Sequence, residues 1–463
     1  MDDFDLLIIG TGSGNSLLNE EFSSWKVGII ERSVFGGTCL NAGCIPSKMF
    51  VLPADRMREA AEATERLNVD IEARGADFAA LRDRVFGRID PIAAGGTRYR
   101  QEQQNVTVFL GDAHFIGERT LSIELQDGTT QIVTAKQIVI AAGARPHLPE
   151  LKGLDETPFH TSDSIMRIEE LPEHLMILGG GFIAAELGHV FSALGSRVSV
   201  IHRGATMLRH ADQDISSRFT AAFAEQVELH LGTQAVSVQQ RDEQLELTLQ
   251  NDVGEQFMLS GDALLVATGR TPNGAQLEVG RAGVELDSSG YIVTDSTLLT
   301  DAPGVWALGD VRNSWQLKHL ANQEARVVGH NLLNPNSPIS IDQRVVPHAV
   351  FSHPQIGSVG LTEQELQASG QNFIVGSCEY SNVAFGWAME DQTGIAKILI
   401  DPANFRILGA HVLGPQAATL MQQLSQAMQF NIPADRLARE QIWCHPALPE
   451  VIENALLSAL QSP

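Results

Sequence analysis

One supersecondary pattern occurs twice in this chain, and it restricts the fold more than any other feature. The first copy is Leu6-Leu7-Ile8-Ile9-Gly10-Thr11-Gly12-Ser13-Gly14-Asn15, then a helical stretch, then Val27-Gly28-Ile29-Ile30-Glu31. The second is Leu175-Met176-Ile177-Leu178-Gly179-Gly180-Gly181-Phe182-Ile183-Ala184, then a helix, then Val198-Ser199-Val200-Ile201-His202-Arg203. Each reads as an apolar strand, a Gly-rich turn, a helix and a second strand, the phosphate-binding start of a dinucleotide-binding unit. Similar closing strands follow, ending at Gly143 and Gly269. The pattern predicts an α/β chain with two Rossmann-like dinucleotide-binding domains.

At 463 residues the chain exceeds one ordinary core, which leaves room for further domains. Residues 106–140 alternate with period two, and Asp127-Gly128 supplies a turn, so an antiparallel meander attached to the first domain is expected. From about residue 345 strands give way to helices, ending in the amphipathic stretch 448–461. This predicts a C-terminal α+β domain. The expected boundaries are 1–148 and 271–340 for the first dinucleotide domain, 149–270 for the second, and 341–463 for the last.

The formal charge of −24 disfavours nucleic acid or an anionic membrane as partner. A phosphate-bearing cofactor must then be held by local arginines and helix N-termini. No signal-like segment or apolar run of membrane-spanning length is visible, and a cytoplasmic location is expected.

In the first fingerprint Gly10 makes the tight turn and Gly12 allows close approach to a pyrophosphate. Asn15 stands where a third glycine is usual. Glu31 lies twenty-one residues after Gly10, at the strand end where an acid binds a ribose hydroxyl. Gly143 closes the same unit. The second fingerprint, Gly179-x-Gly181-x-x-Ala184, carries His202 instead of an acid, followed by Arg203 and Arg209. Two arginines suit a 2′-phosphate, which an acid would repel. The simplest assignment is FAD at the first site and NADPH, rather than NADH, at the second. The alternative is that both arginines are solvated surface charges.

Two of the four cysteines, Cys39 and Cys44, sit in Gly36-Gly37-Thr38-Cys39-Leu40-Asn41-Ala42-Gly43-Cys44-Ile45-Pro46-Ser47-Lys48. Residues five apart on an ideal helix have Cα atoms roughly 8–9 Å apart. A disulfide needs roughly 4.4–6.8 Å. A bridge therefore requires a distorted first turn, and Gly43 gives the backbone that freedom. Lys48 falls one turn beyond Cys44 and favours thiolate. Half of a zinc site is disfavoured because no second Cys/His pair of matching spacing occurs, so no metal is expected. Two inert core cysteines are the other alternative.

His445-Pro446-Ala447-Leu448-Pro449-Glu450 holds the best candidate acid–base unit. Pro446 biases His445 out of the helical region, and Glu450 can reach back to one ring nitrogen. Such a pair can protonate a departing thiolate.

Taken together, the Gly-Gly-Thr-Cys…Cys-Ile-Pro-Ser-Lys segment, the two fingerprints and His-Pro…Glu resemble the pyridine nucleotide–disulfide oxidoreductases over essentially the whole chain. The subgroup acting on mycothiol disulfide is the nearest likeness, through Gly10–Asn15, Phe86–Ile92, Gly386–Asp391 and His445–Glu450. Asn15 itself is shared with that subgroup. The resemblance implies that Asp310 binds the FAD ribityl chain and that a helix near His319 points at the flavin. It implies that Lys48 pairs with Glu186, that Phe182 covers the flavin, and that Arg270 lies along the NADPH site. It further implies a homodimer whose 341–463 domain is the interface, with His445 and Glu450 supplied by the partner subunit. Asn19-Glu20-Glu21 stands where glutathione reductases carry arginines, which disfavours glutathione as substrate. A dihydrolipoamide dehydrogenase, another low-molecular-weight disulfide reductase and a mercuric-type reductase are the alternatives within the family. The tail from Leu448 contains none of the extra cysteines of the mercuric type. A non-catalytic flavin-binding subunit is the alternative from another class. Cys444 is read as a small buried apolar substitute, with an extra oxidant-sensitive thiol near the active site as the alternative.

Overall fold

The strand Asp2–Ile9 runs Leu6, Leu7 and Ile8 through the protein with no exposed surface, the continuous apolar run of a strand covered on both faces. It belongs to a computed structural model that describes residues 2–461. The chain divides into two units. The first holds the segment ending at Pro46 together with Arg82–His147 and Gly269–Asp342; the second holds Ser47–Leu81, Leu148–Thr268 and the segment from Gln343 onward.

In the first unit Asp2–Ile9 pairs in parallel with Val27–Glu31 on one side and with Thr130–Ile140 on the other. Val106–Gly117 pairs in parallel with Val27–Glu31, and Val305–Ala307 pairs in parallel with Thr130–Ile140. The parallel order is that of a dinucleotide-binding sheet, with the Gly-rich turn at the end of its central strand. The expected meander turns out not to be an attachment. Val106–Gly117 and Thr130–Ile140 are long strands whose first and last halves, respectively, lie in the parallel sheet. Their other halves pair antiparallel with Thr120–Leu125, across the Asp127-Gly128 turn.

The first fingerprint departs from expectation. No α-helix follows it. The chain makes two 3₁₀ turns, Gly14–Leu17 and Glu20–Phe22, before re-entering the sheet. Asn15, Ser16, Asn19, Ser23 and Ser24 compete with the backbone for hydrogen bonds and weaken a helix here. The second fingerprint is followed by the α-helix Phe182–Leu194, which Ala184, Ala185 and Leu187 favour.

The second unit contains a four-stranded parallel sheet in the order Ala263–Val266, His174–Leu178, Arg197–His202, Glu228–Leu231. A three-stranded antiparallel sheet spans Thr233–Arg241, Gln244–Asn251 and Gln256–Gly261. The C-terminal five-stranded antiparallel sheet packs against the helices Ala417–Gln429, Ala434–Glu440 and Pro449–Gln461. Buried Lys397 lies 2.9, 2.7 and 2.6 Å from Asp212, Asp214 and Glu363. Burial opposes its charge, but the three carboxylates outweigh that and hold its pKa above the ordinary lysine value.

Five histidines of this unit, His160, His174, His189, His202 and His411, are held below the ordinary imidazole value of about 6.5 chiefly by burial. Above that pH they are neutral whether the chain is folded or unfolded. Below it, the unfolded chain binds protons that the folded chain refuses, so stability falls with pH. The melting temperature is therefore expected to be level above about pH 7 and to drop once pH passes below about 6.5. Thermal unfolding from pH 8 to 5 checks this, and an unchanged melting temperature down to pH 5 would refute it.

Candidate active site

Thr11 joins the first fingerprint to the cysteine segment. Its hydroxyl donates to Glu31 Oε2 at 2.5 Å and accepts the Gly36 N–H at 3.1 Å. Beyond Gly36 lies a short helix, Gly37–Asn41, carrying Cys39. The helix breaks at Ala42, with φ −149° and ψ 14°, and Cys44 opens the long helix Cys44–Arg66. The predicted distortion is this break. Gly43 serves it by close approach rather than by an unusual φ: an added Cβ would lie 3.0 Å from Thr38 O and 3.3 Å from Cys39 Cα.

Cys39 and Cys44 are present as thiols, and they are hydrogen-bonded to one another. That bond, then burial, then the neighbouring sulfur's charge push the Cys39 pKa well above the ordinary thiol value, while Lys318 pulls it down. A raised thiol pKa favours attack assisted by a base. Lys318, the first residue of the helix Lys318–Leu333, also donates to Ser13 Oγ at 3.0 Å.

Glu31 is buried and accepts from Thr11 N and Ser33 N at 3.1 and 2.9 Å. Asn15 accepts from Arg100 at both its side chain and its carbonyl, at 2.8 and 2.7 Å. Gly143 has φ +66° and leads into the short strand Ala144–Pro146, which pairs with Arg270–Pro272. Arg270 donates to Ala144 O at 2.6 Å. Burial pushes the Asp310 carboxyl up, while Arg270 and Lys318 oppose it.

In the second unit the Arg203 and Arg209 side chains are exposed, and neither forms an ion pair among the described residues. The His202 ring fills the space beside Gly180, where an added Cβ would lie 2.5 Å from it. Phe182 begins its helix with 46% exposure, although it is a large apolar residue. Lys48 Nζ sits 2.8 and 2.7 Å from the two oxygens of buried Glu186 and 4.8 Å from the centre of the Phe351 ring. The Phe351 N–H donates to the same carboxylate at 3.0 Å. His445 lies in the loop before Pro449–Gln461, its Nδ1 2.7 Å from Glu450 Oε1. Glu450 Oε2 accepts the Ala447 N–H at 3.1 Å. The hydrogen bond from His445 leads the causes that hold the Glu450 carboxyl below the usual range. Nδ1 donates to the carboxylate, which leaves Nε2 as the nitrogen available for proton transfer.

The first unit thus gathers Gly10, Gly12, Asn15, Glu31, Cys39, Cys44, Gly143, Arg270 and Asp310, and the second gathers Lys48, Gly179, Gly181, Phe182, Glu186, Arg203, Arg209, His445 and Glu450. Arg270 and Asp310 both belong to the first unit, and Arg203 and Arg209 to the second. Lys318 and Phe351 escaped the sequence reading, and so did the bond from Arg100 to Asn15. Each acts on a residue more than 80 positions away, and no local spacing marks such a contact. Among the described residues, no group of three or more His, Cys, Asp or Glu is arranged to hold a metal ion. No described helix is long and apolar enough to cross a membrane.

This combination of two dinucleotide folds, a thiol pair and a His–Glu pair defines a flavin-dependent disulfide oxidoreductase. The chain belongs to the pyridine nucleotide-disulphide oxidoreductases: that family's pattern matches residues 4–325, and its dimerisation domain matches 346–456. It is 46% identical to the mycothione reductase of Mycobacterium tuberculosis, over 99% of both chains. It is 30% identical to mitochondrial dihydrolipoyl dehydrogenase 1 of Arabidopsis thaliana, over 100% of this chain and 91% of the other. Among solved structures it is similar to the Cu(II) complex of the HOCl-induced flavoprotein disulfide reductase RclA from Escherichia coli. The TM-score is 0.86, with 27% identity and 99% of both chains covered. The chain is an NAD(P)H-dependent disulfide oxidoreductase, and FAD and NADPH are its cofactors.

The residues present fit those cofactors. Gly10 has φ +99°, and an added Cβ would lie 2.4 Å from Ala141 O. Gly179 repeats this with φ +129° and Ala267 O at 2.2 Å. A Cβ on Gly37 would lie 2.7 Å from Gly12 Cα, so the first turn is a bare backbone cradle. Gly181 has open space where its side chain would be, as close approach by a pyrophosphate requires.

Proposed function

We propose that this chain reduces mycothiol disulfide to mycothiol at the expense of NADPH, as a homodimer with a cytoplasmic location. The observation that carries the substrate is the 46% identity to a mycothione reductase over 99% of both chains. The exposed Glu20 and Glu21 support it, because carboxylates there repel an anionic substrate such as glutathione disulfide.

In this reading residues 1–148 and 271–340 form the FAD domain, 149–270 the NADPH domain and 341–463 the dimer interface. Gly10, Gly12, Asn15, Glu31, Gly143 and Asp310 hold FAD. Gly179, Gly181, Phe182, Arg203, Arg209 and Arg270 hold NADPH. When bound, the two cofactors supply the electron pair that opens the Cys39–Cys44 disulfide. Lys48, oriented by Glu186, places a cation one helical turn beyond Cys44.

His445 of the partner subunit takes the proton of Cys39, and Glu450 of the partner subunit fixes the ring. The Cys39 thiolate attacks one sulfur of the substrate disulfide, forming a mixed disulfide and expelling the other half as thiolate. His445 of the partner subunit returns its proton to that leaving group. Cys44 then attacks Cys39 Sγ, releases the second thiol and restores the Cys39–Cys44 disulfide. Atoms and electrons balance: one substrate disulfide becomes two thiols, and one dithiol becomes a disulfide.

NADPH oxidation by the purified protein, followed with mycothiol disulfide, glutathione disulfide and lipoamide in parallel, tests the reading. The expected result is turnover with mycothiol disulfide well above the other two, and with NADPH above NADH. A preference for another disulfide would sink the substrate while leaving the chemistry.

A further inference from the structure

The two dinucleotide turns differ in what stands behind them. The turn at Gly179–Gly181 leads into a 13-residue α-helix, whose N-terminus offers partial positive charge to a phosphate. The turn at Gly10–Gly12 leads into a four-residue 3₁₀ turn, which sums almost no dipole. Yet this first turn is the one proposed to hold the pyrophosphate of FAD, in a chain of net charge −24.

Arg100, in the last turn of the helix Phe78–Gln101, is only 6% exposed. Its guanidinium donates to Asn15 Oδ1 at 2.8 Å, Asn15 O at 2.7 Å, Leu18 O at 3.5 Å and Gln103 Oε1 at 2.9 Å. All of these acceptors are neutral, and no carboxylate pairs with Arg100 among the described residues. Burial lowers its pKa, but a guanidinium keeps its proton in a protein. A buried cation without a counter-charge is costly, and that cost points to an anion bound nearby.

We infer that Arg100 is a positioning residue that replaces the missing helix. Its fork fixes the turn at Asn15 and Leu18. Its unneutralised charge supplies the positive potential that the pyrophosphate of FAD would otherwise meet at a helix N-terminus. Lys318, bonded to Ser13, also holds this turn. The inference rests on the FAD reading above.

Flavin-fluorescence titration of the FAD-stripped full-length protein tests it, at several salt concentrations, with thermal melting of the same samples. Arg100→Gln should weaken FAD binding roughly tenfold and flatten its salt dependence. Arg100→Lys, which keeps the charge, should stay within about threefold of wild type and keep the salt dependence. A purely structural role would lower both variants alike and leave the salt dependence unchanged, and that result overturns the inference. So does an Arg100→Gln protein that binds FAD as wild type does. If Arg100→Gln does not fold, Arg100→Lys decides alone: a loss of tenfold or more overturns the inference. A wild-type chain that binds no FAD at all would instead overturn the underlying function, and this inference with it.

Discussion

Cys39→Ser is expected to abolish disulfide turnover, by about a thousandfold or more, while NADPH still bleaches the flavin absorbance of the variant. The size follows from the role. Cys39 is the thiol that bonds to substrate, and a residue acting as nucleophile in a cooperating set carries most of the rate enhancement on its own. A serine hydroxyl is no substitute in thiol–disulfide exchange, because the reacting species is a thiolate. The Cys44 thiol is left intact, so reduction of the cofactor by NADPH is unaffected. Stopped-flow flavin bleaching and steady-state NADPH oxidation separate the two halves of the reaction. Full steady-state turnover in this variant would show the assignment of the outer thiol to be wrong.

His445→Gln is expected to lower kcat with mycothiol disulfide by roughly 10²–10⁴-fold, the range a positioned acid–base group contributes. Substrate KM should change little, since the ring is proposed to move a proton rather than to hold the substrate. The hydrogen bond with Cys44 and burial push the Cys39 thiol up, which favours attack assisted by a base. The 2.7 Å bond to Glu450 leaves one imidazole nitrogen free for the task. The same variant tests the shared site. In mixed dimers of Cys39→Ser and His445→Gln chains, one site inherits both defects and the other neither. Turnover should therefore reappear when the two inactive proteins are unfolded and refolded together. Continued inactivity of the mixture would mean that each site draws its thiol and its histidine from the same chain.

Much of the site was legible locally. The His445–Glu450 pair lies within five residues, and Pro446 keeps the histidine off the helix that carries the glutamate. The thiol pair was legible for the same reason, because only a break such as the one at Ala42 lets residues five apart serve one site. The Lys48–Glu186 pair was different. It joins residues 138 apart and came from the family resemblance, since no spacing rule reaches that far.

The helix expected after Gly12 failed for a physical reason already present in its residues. Asn15, Ser16 and Asn19 offer the backbone side-chain partners, whereas Ala184, Ala185 and Leu187 offer it none. Lengths gave no warning, because the two fingerprints are spaced almost identically from their second strands.

The sequence by itself determined the two dinucleotide folds, the pairing of Cys39 with Cys44 and of His445 with Glu450, and the family. Each depends on turn geometry, strand pattern or spacing within one short stretch of chain. Only the tertiary structure decided how the first turn is held. That depends on Arg100 and Lys318 arriving from helices far along the chain. A hydrogen bond between distant segments leaves no periodicity in either of them, and it exists only once the sheet has brought their ends together.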